Sequence, residues 1–135
     1  MIFEELKYIY NGTVNYEKDK SFYIDNLNGE LIWEFSRFGT TVCALKLDNV
    51  NHQILIADHL KSDEQIQIFR TENLATAIKI LEENGLQFTS DTFGIPDGNC
   101  IQFQDFSGKK YGIYEKNKTD EFLRNEYLRQ QGEKK

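Results

Sequence analysis

Asp58-His59 is the one point in the chain where a histidine adjoins a carboxylate. Such a pair can serve as a general base, because imidazole exchanges its proton near neutral pH. The pair ends a strand-like run, and neighbouring strand residues point to opposite faces, so the two side chains meet only if the backbone bends. A solvated or structural role is the competing reading. His52 follows the polar turn Asn49-Val50-Asn51 and is expected to be exposed. Cys43 and Cys100 form no C-x-x-C pair and neither adjoins a histidine, so the spacing of a zinc or redox site is missing.

The aromatic residues offer a different chemistry, the stacking and orienting of a small planar molecule. Trp33 and Phe35 share one face of a strand and present flat apolar surface, either to a ligand or to a helix packed on them. Tyr8 and Tyr10 share a face and carry hydroxyls that can orient a ligand, or that reach solvent from a half-buried ring. Phe103 and Tyr114 join this candidate set from the second half of the chain; Tyr111 and Tyr114 belong to opposite faces, so at most one looks inward. Arg70 alternates with Ile66 and Ile68. It can clamp a carboxylate or phosphate bidentately, or it can pair at the surface near Glu72. Glycines stand at turns, and no G-x-G-x-x-G or phosphate loop occurs.

Composition narrows the setting. The 135 residues carry 22 acidic and 16 basic side chains, a formal charge of −6. That is the wrong sign for a nucleic-acid binder, and no basic stripe offsets it. The longest apolar run, residues 54–57, is far short of a membrane span. The opening MIFEELKY has neither a basic stretch nor a long apolar one, so the expectation is a cytoplasmic chain with two reduced, buried thiols.

The elements that must position these residues come in two similar sets. The first half reads as strand 6–11, helix 16–27, and strands 30–36, 41–47 and 53–57. The second reads as strand 65–70, helix 73–84, and strands 86–89, 99–105 and 109–115. Gly29 recurs as Gly85 (56 on), Phe38 as Phe93 (55 on) and Cys43 as Cys100 (57 on). This predicts an α+β fold of two βαβββ units, residues 5–59 and 64–116, within a domain spanning 1–117. The helix after Asn73 carries Leu74, Ala77, Ile78 and Leu81 at helical spacing and stops at Asn84-Gly85. A third helix over 119–131, capped by Thr119 or Asp120, is predicted within a C-terminal segment 118–135 whose last two lysines fray. It docks on its own domain or meets a second subunit.

On these residues the chain resembles the vicinal oxygen chelate superfamily, the group of glyoxalase I, extradiol dioxygenases and bleomycin-resistance proteins. The resemblance covers about residues 5–116 and rests on the paired units, Ser21-Phe22-Tyr23 followed by Gly29, the 74–85 helix with its glycine stop, and Pro96-Asp97-Gly98 leading to Phe103-Gln104-Asp105-Phe106-Ser107-Gly108. Trp33-Glu34-Phe35, Phe38-Gly39-Thr40, Val42-Cys43-Ala44-Leu45 and the stretch 55–59 look closest to small glyoxalase-like proteins.

The resemblance implies a cleft shared by the two units. In metal-dependent members, His or Glu on the first and last strands of each unit hold a divalent ion there. The matching positions here are Tyr8 (or Lys7), Ile66 (or Gln65), Leu55 or Ile56, and Gly112, none of them His, Asp or Glu. No metal centre of the family type and no cofactor are therefore expected. The resemblance then implies metal-independent binding of a small, partly apolar organic molecule, in one form a resistance-type sequestration, with a homodimer as the assembly. The candidate ligand-binding residues are Tyr8, Tyr10, Trp33, Phe35, Asp58, His59, Arg70, Phe103 and Tyr114. The alternatives are a glyoxalase-like lyase or isomerase with a non-standard site, and a module that only binds protein.

Overall fold

A computed structural model describes residues 1–37 and 39–133, leaving out the side chains of Arg37 and Glu133. Phe38 and the terminal Lys134-Lys135, which figured in the sequence reading, lie outside the described residues. The first unit comprises β1 (Glu5–Gly12), α1 (Tyr16–Ser21), β2 (Glu30–Arg37), β3 (Thr40–Lys46) and β4 (Gln53–Ala57). The second comprises β5 (Gln65–Thr71), α2 (Leu74–Glu83), β6 (Phe93–Ile95), β7 (Gly98–Gln104) and β8 (Lys110–Lys116), and α3 (Asp120–Glu133) follows.

Among the described residues, eight strands form one sheet in the order β2-β3-β4-β1-β5-β8-β7-β6. The order reads the same from either edge once the units are exchanged, which is the duplication seen in the sequence. At the centre, β1 and β5 pair antiparallel, with Tyr8 opposite Ile68 and Tyr10 opposite Ile66. Each then pairs in parallel with the last strand of its own unit, β1 with β4 and β5 with β8. The fold is α+β, a mixed sheet with helices on both of its faces.

Local chemistry accounts for most element ends. Asn15 and Asn73 cap α1 and α2 in the same way, each accepting a backbone N–H three residues on, at 3.1 and 2.9 Å. Thr119 caps α3 by accepting from the Phe122 amide at 3.0 Å. Gly85 ends α2 at φ +90°, a backbone region that a Cβ disfavours. The first helix is not uniform: after Ser21 it widens into a π-helical turn, Phe22–Asn26, before Asn28 turns the chain at φ 58°. The strand expected at 86–89 is reduced to a single bridge, Phe88 to Phe103. The Ser90 hydroxyl accepts the Gln102 amide at 3.0 Å, taking a donor that a continued ladder would use. The edge strand of the second unit is instead the short β6.

Two apolar clusters lie beneath the helices on one face. Cys43, Leu45 and Ile56 pack under α1, and Ile101 and Ile113 pack under Leu74 and Ala77 of α2. The third cluster covers the other face and crosses both units: Tyr8, Trp33, Leu55, Ile68 and Tyr114 meet Leu123 of α3. Among the described residues, no helix is long and apolar enough to cross a membrane.

Candidate functional site

The sheet curls towards the face that carries α3. Strands β2 and β6 are its opposite edges, yet Phe35 and Val42 from one side and Ile95 from the other line a single cavity of about 780 Å³. Phe122, Glu126 and Gln130 of α3 form its remaining wall. The deeper part of the cleft is filled by the chain itself. Trp33 and Tyr8 are 1% exposed, Tyr114 is fully buried, and Leu123 plugs the space over them.

A polar group lies within this apolar filling. Tyr8 Oη donates to Asp97 Oδ2 at 2.7 Å, and the Tyr8 and Tyr114 rings sit 5.6 Å apart. Burial pushes the Asp97 carboxyl above the usual carboxylate range, opposed by the Tyr8 hydrogen bond and the Lys116 charge. Burial and the neighbouring Asp97 charge together push the Tyr8 and Tyr114 phenols well above their ordinary value. Among the described residues, four buried side-chain atoms have no hydrogen-bond partner: Trp33 Nε1, Gln53 Oε1, Asp97 Oδ1 and Tyr114 Oη. Gln53 shares the inner face with Leu55 and stands opposite Tyr8 in the parallel register. All four therefore belong to the cleft side of the sheet. Each unsatisfied group costs about 1–3 kcal/mol, so their concentration on one face marks the place where the fold is not optimised for its own stability.

Helix α3 is held over this floor by charge. Asp120 bridges Lys7 at 2.9 Å and Lys116 at 3.0 Å. The Lys7 ammonium is completely buried and finds its other acceptors on Asn51, at 3.1 and 3.3 Å. These partners hold the Asp120 carboxyl below the usual range against the opposing effect of its burial. Arg124 donates to the carbonyls of Leu31 and Ile32, the latter at 2.9 Å. A bulge at this point of edge strand β2 breaks the regular ladder to β3.

The residues singled out from sequence separate into groups. Trp33 and Phe35 lie on the inner face with rings stacked 5.3 Å apart, and Tyr8 and Tyr114 lie deeper beside them. Tyr10 borders the same cluster, and burial pushes its phenol up to about 12. Asp58 and His59 do point apart. The Asp58 carboxylate accepts the Thr41 amide at 2.9 Å, while His59 Nε2 is 3.3 Å from the Tyr10 hydroxyl at the exposed rim. Arg70 is paired through Nε with Glu5 at 3.0 Å rather than with Glu72. Phe103 is the correction. It lies on the opposite face, stacked on Tyr111 at 5.3 Å and edge-on to Phe88, within the cluster under α2. His52 is half-buried rather than exposed, 3.3 Å from Asp48. Sequence reasoning missed Asp97, Gln53, Lys7 and Asp120. Pro96-Asp97-Gly98 reads as a structural turn, and only the neighbouring Tyr8, 89 positions away, reveals the carboxyl as interior.

The resemblance assigns metal ligands to four positions. Tyr8, Leu55 and Ile66 all face the cleft. Gly112 does too, since a Cβ there would meet Cys100 Sγ at 3.2 Å and Ile68 Cγ1 at 3.3 Å. A phenol, two hydrocarbon chains and a glycine are not the donor set of a divalent ion. Among the described residues, no cluster of three or more His, Cys, Asp or Glu could hold one. A second hollow of about 400 Å³, between the start of β5 and the β7–β8 turn, is lined by charged groups including the Glu64–Lys110 pair.

No family model matches the sequence, and no curated protein matches it. Solved structures do match in fold. Methylmalonyl-CoA epimerase from Mycobacterium tuberculosis superposes with a TM-score of 0.75 at 13% identity, over 85% of this chain and 89% of that one. A hypothetical protein from Bacillus halodurans gives 0.72 at 15%, over 85% and 96%. The 2,3-dioxygenase LapB from Pseudomonas sp. KL28 gives 0.67 at 15%, with 86% of this chain covering 43% of the longer enzyme. At such identities the likeness is one of architecture. Taken with the mirrored strand order, it shows that this chain shares the fold of these structures, built here from two paired βαβββ units.

Proposed function

We propose that the protein binds a small, partly apolar organic molecule in the cleft without a metal ion. The observation that carries this reading is the cavity between the β2–β3 edge, β6 and α3. Its volume of about 780 Å³ falls within the roughly 300–1,000 Å³ usual for small-molecule sites. Phe35, Val42 and Phe122 give it apolar walls, while Glu126, Gln130 and Lys118 put polar groups at its margin. Trp33 stacked behind Phe35 stiffens that wall. The residues at the four family ligand positions favour a site that works without an ion. A complex of the Streptomyces coelicolor epimerase with 2-nitronate-propionyl-CoA is one case of the same fold holding an organic ligand.

The net charge of −6 is compatible with a cationic compound without selecting one. Sequestration of such a compound is the form of function we favour, in a homodimer, which the family resemblance suggests and sedimentation can test. The experiment is a thermal-shift screen of aromatic, cationic and thiol-conjugate compounds, since a ligand that binds only the folded state raises its melting temperature. Compounds that stabilise the wild type and lose at least about tenfold in affinity (about 1.4 kcal/mol) against Phe122→Ala support the reading. A screen without hits, or hits indifferent to Phe122→Ala and Phe35→Ala alike, overturns it.

A further inference from the structure

We propose that α3 is a displaceable lid, latched by Asp120 between Lys7 and Lys116, and that its opening presents the polar floor of the cleft to the ligand. Three independent features lead there. First, the buried unpartnered polar atoms gather beneath this helix. Trp33 Nε1 and Tyr114 Oη are donors, and Gln53 Oε1 and Asp97 Oδ1 are acceptors, all sealed on the inner face. A permanent core has no use for such a set, whereas a site that closes when empty does.

Second, α3 is a poor core helix. Over its length, Leu123 is the one hydrophobic side chain that is buried. Phe122 and Leu128 are each about half exposed, and Tyr127 only borders the cluster. The helix is fixed mainly by polar contacts at two points. One is the Asp120 bridge at its first residue, and the other is Arg124 on the carbonyls of Leu31 and Ile32 in edge strand β2. Polar contacts of this kind can be exchanged for water as the helix lifts, which a buried apolar seam cannot.

Third, the segment that would act as the hinge is tied to the floor. The amides of Asn117 and Lys118, just before α3, donate to the Asp97 carbonyl at 2.7 and 3.3 Å, and the Asp97 side chain takes the Tyr8 hydrogen bond. A ligand that competes for Asp97 Oδ1 therefore acts on the residue that also anchors the hinge. The existing cavity, already walled by Phe122, Glu126 and Gln130, is the point of entry.

That the lid serves a ligand rests on the function proposed above; that it opens does not, and the test needs no ligand. Hydrogen exchange on the full wild-type chain should show α3 amides opening locally, at least about tenfold less protected than those of β1 and β5. Asp120→Asn should raise α3 exchange further. It should also increase acrylamide quenching of Trp33, the single tryptophan, several-fold while β1 and β5 stay protected. Equal protection of α3 and the central strands in the wild type overturns the lid, as does unchanged Trp33 quenching in a folded Asp120→Asn. If that variant unfolds outright, the wild-type comparison decides. An empty compound screen would leave the lid standing, and a rigid α3 would leave the outer cavity as a binding site.

Discussion

The Tyr8 hydroxyl donates to Asp97 Oδ2 at 2.7 Å, joining the central strand of the first unit to the β6–β7 turn of the second. Among the described residues, the other carboxylate oxygen, Asp97 Oδ1, is buried without a hydrogen-bond partner. Tyr8→Phe should therefore cost about 1–3 kcal/mol, the penalty for a buried acceptor left without its donor. A shift of the urea midpoint at unchanged slope reads this loss.

Acid should reveal two carboxyls acting in opposite directions. The Asp97 value is raised on folding, so the folded state holds that proton more tightly. Its contribution is fully present below the ordinary value of 3.8 and is lost as pH rises through the folded value. Asp120 is lowered, so its contribution is present above 3.8 and is lost as pH falls through the folded value. In urea titrations across this window, Asp97→Asn should steepen the net loss of stability towards acid, and Asp120→Asn should flatten it.

At neutral pH, Asp120→Ala leaves the fully buried Lys7 ammonium with only its Asn51 acceptors. Breaking a fully buried pair costs about 3–5 kcal/mol. The Asp120 side chain is 35% exposed, which brings the expected loss down to about 2 kcal/mol through solvent screening. Melting temperature, followed with salt concentration, checks both the size and the electrostatic origin.

Gly98 sits where two backbones nearly touch, and a Cβ there would lie 2.0 Å from the Glu115 carbonyl oxygen. Gly98→Ala must push β7 away from β8 and shift the adjacent Asp97. The expected cost is about 3 kcal/mol, at the upper end for overpacking. A second consequence is a Trp33 emission change as the floor rearranges.

Much of this architecture was legible because strands announce themselves by alternation. Paired glycines and cysteines mark the duplication, and Ile66 and Ile68 share a face by parity alone. Parity sorts residues into two sets but does not say which set is inside. Ile101 and Phe103 were correctly paired with each other, yet α2 covers them on the outer face. Asp97 was hidden for a related reason. A Pro-Asp-Gly turn has the chemistry of a solvated loop, and its burial depends on the distant Tyr8 and Tyr114. The docking of α3 on its own domain was one of two open readings, because a mostly polar helix carries little information about the surface it rests on.

The proposed function requires a cleft that holds an organic molecule without an ion. The most direct measurement titrates the best-stabilising compound into protein dialysed against a chelator, following heat and Trp33 fluorescence together. The prediction is saturable binding with the same affinity before and after chelation, accompanied by a change in Trp33 emission. Binding that disappears on chelation and returns with a divalent metal, or that leaves Trp33 unaffected, would contradict it.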